Sequence, residues 1–114
     1  MIANRGVDIV QPDLHYGGGF IRAVQVARMA AKAGMSVVPH MSGGGLGYVE
    51  VVHFASFVLN AGPHMEFKGN SSLPVYCESS ALKSPGGVVQ RPTGVGFGVT
   101  IDPDLVKKAQ VVTL

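Results

Sequence analysis

The chain has 114 residues, enough for one compact domain, and 46% of them are hydrophobic while only 14% are charged. This composition excludes a disordered chain, and a net charge of +2 without a run of Lys or Arg excludes a nucleic-acid-binding surface. No apolar run approaches the ~20 residues of a membrane span, and the first residues lack a signal-peptide pattern. We therefore expect a cytoplasmic protein that binds no membrane.

The first part of the chain predicts a strand, a helix and a second strand. An apolar run over 7–10 ends close to Asp13, as a buried strand does. Small and apolar residues then recur at helical spacing up to Gly34, which predicts a helix closed by a left-handed residue. A second apolar run over 35–39 predicts a strand that ends at His40.

A second helix and a third strand complete this alternation. One apolar face over 46–57 predicts the helix, which we expect residues 62–63, Gly and Pro, to stop. Residues 65–67 predict the third strand. Strands joined by right-handed helical crossovers build a parallel sheet, with polar groups at the carboxyl ends of the strands. The residues expected together at that rim are Asp13, His40 and Glu66.

The last part of the chain has a different pattern. Residues 70–72 predict a loop, and 85–87 predict a hairpin turn whose second arm is 88–91. Asp102 before a proline predicts a helix start, and 105–112 a closing helix. The single cysteine, Cys77, has no partner for a disulfide and is interpreted as an inert thiol.

Several strings resemble one known family. They are VDIVQPD (7–13), the glycines at 17–19, AAKAG (30–34), VPH (38–40) and PTGVGFGVTID (92–102). Together they resemble the C-terminal part of enolase-superfamily enzymes of the mandelate racemase and muconate-lactonizing type. The resemblance implies an α/β fold that is the C-terminal portion of a (β/α) TIM-type barrel, with about three parallel strands and two helices. Residues 1–67 would be barrel strand-helix units, and 68–114 an irregular tail of the capping region with a hairpin and a closing helix.

The resemblance also implies chemistry. It is strongest to the sugar-acid dehydratases, which are lyases that remove the proton next to a carboxylate and then lose water. The family's catalytic dyad falls on Asp13 and His40, and its substrate-binding carboxylate on Glu66 in the string HMEF (64–67). Residues expected to line the substrate pocket are His15, Tyr16, Met41 and Ser42.

The dyad has a physical reason of its own. An imidazole presents one defined tautomer only if an acceptor holds its second nitrogen, and Asp13 can do this for His40. Neighbouring parallel strands lie about 4.8 Å apart, so side chains at matching strand ends are within reach of each other.

The resemblance places the family's magnesium outside this chain. The metal is held there by three carboxylates on strands that have no counterpart here, and the seven acidic residues show no spacing that would rebuild such a site. Mg²⁺ is thus expected in the full-length enzyme, with no metal site on this chain alone, which should be inactive. The expected partners are a small sugar-acid substrate and either a second copy or the missing barrel portion.

Three alternatives stay open. The chain could be part of a racemase or epimerase of the same superfamily, or a non-catalytic fragment that self-associates or completes a partner chain. It could also be a flavodoxin-like module that binds an anion at the glycines of 43–45, although no Gly-Lys-Ser/Thr ending follows them. Met1 is interpreted as an internal start. His53 is predicted to be a satisfied core histidine, and His64 is given no role.

Overall fold

A computed structural model of the chain describes residues 1–41, 45–66, 75–76, 83 and 85–110. Strands and helices alternate in the first half, as the sequence predicts. The elements are β1 (Ile9–Val10), α1 (Gly19–Lys32), β2 (Ser36–Val37), α2 (Leu46–Phe57), β3 (Val75–Tyr76), β4 (Thr100–Ile101) and α3 (Pro103–Lys107), with a 3-10 turn at Pro85–Gly87. None of the helices in these described ranges has the length and apolarity needed to cross a membrane.

Helix α1 ends where the sequence predicts. Gly34 has a φ of 66°, and its N–H donates to the carbonyl of Ala31, while the N–H of Met35 donates to the carbonyl of Ala30. This pair of bonds is the Schellman closure, which needs a left-handed residue that glycine supplies at little cost. The buried face of α1 consists of alanines at 23, 27 and 30, so the helix lies close against the sheet.

The parallel sheet brings the two predicted strand ends side by side. Strands β1 and β2 pair in parallel, with Ile9 opposite Ser36 and Val10 opposite Val37. Two further backbone bonds extend the pairing, because the N–H of Val38 donates to Val10 and that of His40 donates to Pro12. The expected α/β arrangement of a parallel sheet with two helices is therefore confirmed.

The third strand was predicted at the wrong place. Pairing with β2 occurs at Ala61, which lies opposite Val37, and not at Met65 and Glu66; Phe67 lies outside the described residues. The reason is that α2 ends at Phe57, before the expected stop at 62–63, and the chain turns extended at Val58. Pro63 has no N–H to donate and cannot extend a ladder of backbone bonds.

The core lies between the sheet and the two longer helices. Phe54, Val37 and Val49 are fully buried. Phe54 also packs edge-on against Phe20 and Phe57, with ring centroids 6.0 and 5.5 Å away. Helix α2 buries residues on most of its circumference, and its buried side chains join the same hydrophobic cluster as those of α1 and β2.

The C-terminal part differs from its predicted hairpin. Residues 85–87 form a 3-10 turn and 88–91 form no strand; the antiparallel pair is β3 with β4, which lie far apart in sequence. Two successive glycines with positive φ, Gly86 and Gly87, turn the backbone without a strand on their C-terminal side. The predicted loop at 70–72 lies outside the described residues.

The start of α3 was predicted correctly and its end was not. The Asp102 side chain accepts a hydrogen bond from the N–H of Asp104 at 2.9 Å, which is the expected N-cap. The helix ends at Lys107 instead of continuing to position 112, and residues 111–114 lie outside the described part.

His53 joins α2 to the glycine-rich tail instead of lying in the core. It is half-buried, its Nε2 lies 2.9 Å from the carbonyl oxygen of Phe97, and the two rings are 5.3 Å apart.

Candidate active site

Asp13 and His40 lie at the carboxyl ends of the two neighbouring strands. They face each other across an isolated parallel bridge, and the N–H of His40 donates to the carbonyl of Pro12 at 3.0 Å. The same backbone pairing that forms the sheet therefore aligns the two side chains.

The Asp13 carboxylate is held on both oxygens. Oδ2 lies 2.8 Å from Nδ1 of His40, and Oδ1 accepts the backbone N–H groups of His15 and Tyr16, each at 2.8 Å. The Asp13 side chain is only 17% exposed, whereas that of His40 is 47% exposed. An ionised carboxylate can only accept, so the proton of the shared hydrogen bond belongs to Nδ1 of His40. Nε2 is then the ring nitrogen that can take or give a proton.

Glu66 lies on the other side of the histidine. Its Oε2 is 3.9 Å from Nε2 of His40 and accepts the backbone N–H of Met41 at 2.9 Å. A carboxylate therefore lies near each nitrogen of the imidazole. Such an arrangement can orient the ring and can stabilise a positive charge on it during proton transfer.

The residues expected to line the substrate pocket differ in placement. Tyr16 extends into solvent with 86% of its surface exposed, and its backbone contacts Asp13. Met41 is buried in the core, so its N–H, and not its side chain, reaches Glu66. The Nε2 of His15 lies 3.4 Å from Oε2 of Glu50. Ser42 lies outside the described residues. His64, for which the sequence predicts no role, is exposed.

Sequence reasoning missed Glu50 and Gly47. Both lie on α2, three positions apart and therefore on one face. A Cβ at Gly47 would lie 2.4 Å from Cε1 of His15, so the His15 ring rests directly on the helix backbone. The available signal was that Glu50 is the one acidic residue in this mostly apolar helix.

Burial affects one titratable side chain near the site. Tyr48, at 3% exposure, lies in the first turn of α2, and burial raises the pKa of its phenol from 10.0 to about 12. Its phenol is therefore neutral at physiological pH and cannot serve as a base there.

The fold and the site define an α/β protein with an acid–imidazole pair and a second carboxylate at the carboxyl ends of neighbouring parallel strands, a geometry that suits general acid–base chemistry. Within this class, the chain belongs to the family described as enolase C-terminal domain-like, whose model matches residues 1–105. The resemblance to mandelate racemase-type members of the enolase superfamily is thereby confirmed.

Two curated relatives share about a third of their aligned residues with the chain. D-galactonate dehydratase of Ralstonia pickettii is 32% identical over 108 residues, which cover 89% of this chain and 28% of the relative. D-galactarolactone cycloisomerase of Agrobacterium fabrum is 32% identical over 106 residues, which cover 86% and 28% respectively. The chain thus spans little more than a quarter of the length of these relatives.

Solved structures share the fold. A candidate racemase from Roseobacter denitrificans superposes with a TM-score of 0.81 at 30% identity, covering 96% of this chain and 31% of that one. An enolase from Gibberella zeae, crystallised with magnesium, formate and sulfate, superposes with a TM-score of 0.75 at 28% identity, covering 94% and 26%.

The described residues do not fit a magnesium site. Within 1–41, 45–66, 75–76, 83 and 85–110, no group of three or more His, Cys, Asp or Glu side chains is arranged to hold a metal ion. Magnesium is bound in proteins by carboxylates, other oxygen donors and water. Near His40, both carboxylates have other contacts, Asp13 with backbone N–H groups and Glu66 with the N–H of Met41.

Proposed function

We propose that the chain forms the C-terminal part of an acid-sugar dehydratase and supplies one face of its active site. In this proposal, residues 1–67 are the last strand-helix units of a barrel, and 68–114 are the tail that packs beside the capping region. The D-galactonate dehydratase of Ralstonia pickettii, at 32% identity, supports this substrate class.

The observation that carries the proposal is the 2.8 Å contact between Nδ1 of His40 and an Asp13 carboxylate that two backbone N–H groups hold in place. It fixes one tautomer and leaves Nε2 for proton transfer. The reaction removes the proton next to the substrate carboxylate and expels the β-hydroxyl as water, giving an enol that becomes a 2-oxo acid. His40, when protonated, gives its Nε2 proton to the departing hydroxyl.

Glu66 complements the histidine in this proposal. Its Oε2 lies 3.9 Å from Nε2 of His40, so it can accept a hydrogen bond from a substrate hydroxyl bound between them. The substrate contacts predicted from the sequence for Tyr16, Met41 and Ser42 belong to the same proposal. A magnesium ion of the longer protein would polarise the substrate carboxylate, and its ligands would come from segments that this chain does not span.

A hybrid enzyme tests the proposal. The chain replaces the matching segment of the Ralstonia pickettii dehydratase, and the formation of a 2-oxo acid from D-galactonate is measured. We expect turnover by the hybrid and a loss of about 10²–10⁴-fold in kcat for His40→Asn, the range of general acid–base catalysis. A hybrid that is folded by circular dichroism and gel filtration, yet inactive on acid sugars, would contradict the proposal.

A racemase or epimerase is the second candidate, and the candidate racemase from Roseobacter denitrificans favours it. The same His40 would then return a proton to the carbon from which one was removed. The two reactions separate in D₂O. Deuterium at the α-carbon of recovered substrate, without any 2-oxo acid, would indicate a racemase or epimerase, whereas 2-oxo acid would indicate a dehydratase.

A further inference from the structure

The orientation of the Asp13 carboxylate depends on the loop that follows it. The N–H groups of His15 and Tyr16 both bind Oδ1, and the N–H of Gly17 donates to the Asp13 carbonyl at 2.9 Å. A shift of this loop would therefore rotate the Asp13 carboxylate and move its Oδ2 away from Nδ1 of His40.

The side chain of His15 attaches this loop to helix α2. Its Nε2 lies 3.4 Å from Oε2 of Glu50, and the two side chains are 37% and 30% exposed. Water partly screens such a pair, so its attraction alone would be weak. A second contact fixes the orientation of the His15 ring, because the ring lies against the helix backbone at Gly47.

Gly47 leaves the space that this contact needs. A Cβ there would lie 2.4 Å from Cε1 and 2.7 Å from Nε2 of His15, much closer than van der Waals contact allows. Helix propensity ranks glycine below alanine, so helix formation alone gives no reason for glycine at 47. The ring contact gives a reason for glycine there.

We infer that His15, held by Glu50 across Gly47, is a positioning residue that sets the orientation of the Asp13–His40 pair. This inference rests on the proposed function for its catalytic meaning. In it, His15 acts on the imidazole through the loop backbone and Asp13. Direct contact of His15 with the substrate, the role that the sequence predicts, remains a separate prediction.

The tautomer of His40 measures the proposed effect directly. In the full 114-residue chain, ¹⁵N NMR gives the ratio of the Nε2–H to the Nδ1–H form at a pH where the imidazole is neutral. We expect Glu50→Leu, which removes the acceptor, and Gly47→Ala each to raise this ratio at least about threefold, because a displaced carboxylate no longer holds the Nδ1 proton. Gly6→Ala is the matched control, since a Cβ at position 6 would meet only the Met1 carbonyl, 4.0 Å away.

Protection of the Val37 amide from hydrogen exchange reports whether each variant keeps its fold, because this amide donates to the backbone carbonyl of Asn60. If Gly47→Ala loses that protection, Glu50→Leu alone decides. A ratio in Glu50→Leu that stays within about threefold of the wild-type value overturns the inference. The ratio is measured without substrate, so an inactive hybrid counts against the proposed function alone, and an unchanged ratio counts against this inference alone.

Discussion

Among the individual residues, Asp13 has the most constrained side chain of the site, since one oxygen binds two backbone N–H groups and the other binds His40. Asp13→Asn keeps the size of the side chain and can keep the backbone bonds through its carbonyl oxygen. Its NH₂ would then face Nδ1 of His40 and donate to it. We expect the His40 tautomer to change from Nδ1–H to Nε2–H, as measured by ¹⁵N NMR.

Asp8→Asn is the control for this substitution, because Asp8 is an exposed residue next to β1 and should leave the tautomer unchanged. In the hybrid enzyme, Asp13→Asn should lower kcat by about 10²–10⁴-fold. A His40 that keeps its Nδ1–H form in Asp13→Asn would contradict the assigned hydrogen bond.

Ionisation of the buried Tyr48 should lower the stability of the fold at high pH. Its folded-state pKa of about 12 lies above the ordinary pKa of 10.0 for a tyrosine phenol. The neutral phenol therefore stabilises the fold fully below pH 10, and this stability is lost as the pH rises toward 12. The free energy of unfolding should fall by at most about 1.4 kcal/mol per pH unit in this window. Urea unfolding between pH 9 and about pH 12 measures the slope, which Tyr48→Phe should reduce; an equal slope in that variant would contradict the assignment.

The dyad was predictable from sequence because each of its members ends an apolar run of strand length. The neighbourhood of His15 was not, since contact with Gly47 depends on how α2 lies over the loop after β1. That packing is a tertiary property, and the spacing of residues along the chain carries no record of it.

Between elements, Asn60 connects three parts of the fold. Its side-chain Nδ2 donates to the backbone carbonyls of Ala27 in α1 and Met35 before β2, at 3.1 and 3.0 Å. Its backbone carbonyl accepts the N–H of Val37. Asn60→Ala would leave two partly buried carbonyls without this donor. We expect a loss of about 1–3 kcal/mol in the free energy of unfolding, measured by urea denaturation.

Ser56→Ala provides a comparison, because that exposed hydroxyl donates only to the carbonyl of His53 within the same helix. It should cost less than about 1 kcal/mol. Equal effects of Asn60→Ala and Ser56→Ala would contradict a bridging role for Asn60.

Helices and their glycine ends were predicted better than strands. The end of α1 follows from local rules, since a left-handed glycine closes it wherever the helix packs. The pairing of β3 with β4 joins residues 75–76 to 100–101. The turn signals at 85–87 predicted pairing between segments that are near in sequence. No hydrophobic period distinguishes that pairing from the observed distant one.

For the whole molecule, the sheet edge is the feature that bears on association. In the part of the chain that the structure describes, β1 pairs only with β2, and Ile9 on β1 is 50% exposed. An unpaired strand edge with an apolar side chain favours pairing with another chain. We expect the purified chain to sediment as a species larger than 11.9 kDa.

Ile9→Lys should weaken this association by about tenfold or more, since burial of an isoleucine contributes roughly 1.5–3 kcal/mol. Leu59→Lys is the control, because Leu59 is fully exposed in the turn after α2 and away from β1. Sedimentation at several concentrations measures the dissociation constants. A wild-type chain that stays monomeric at all concentrations would contradict the prediction and remove support for a self-associating fragment.

The backbone bridge between Asp13 and His40 has a consequence for how such proteins diverge. Register between β1 and β2, and not the number of intervening residues, keeps the acid and the imidazole together. Insertions or deletions in the connection after α1 can therefore accumulate without separating the pair. A search for distant homologues that demands a fixed interval between the two residues would overlook proteins in which the chemistry is intact.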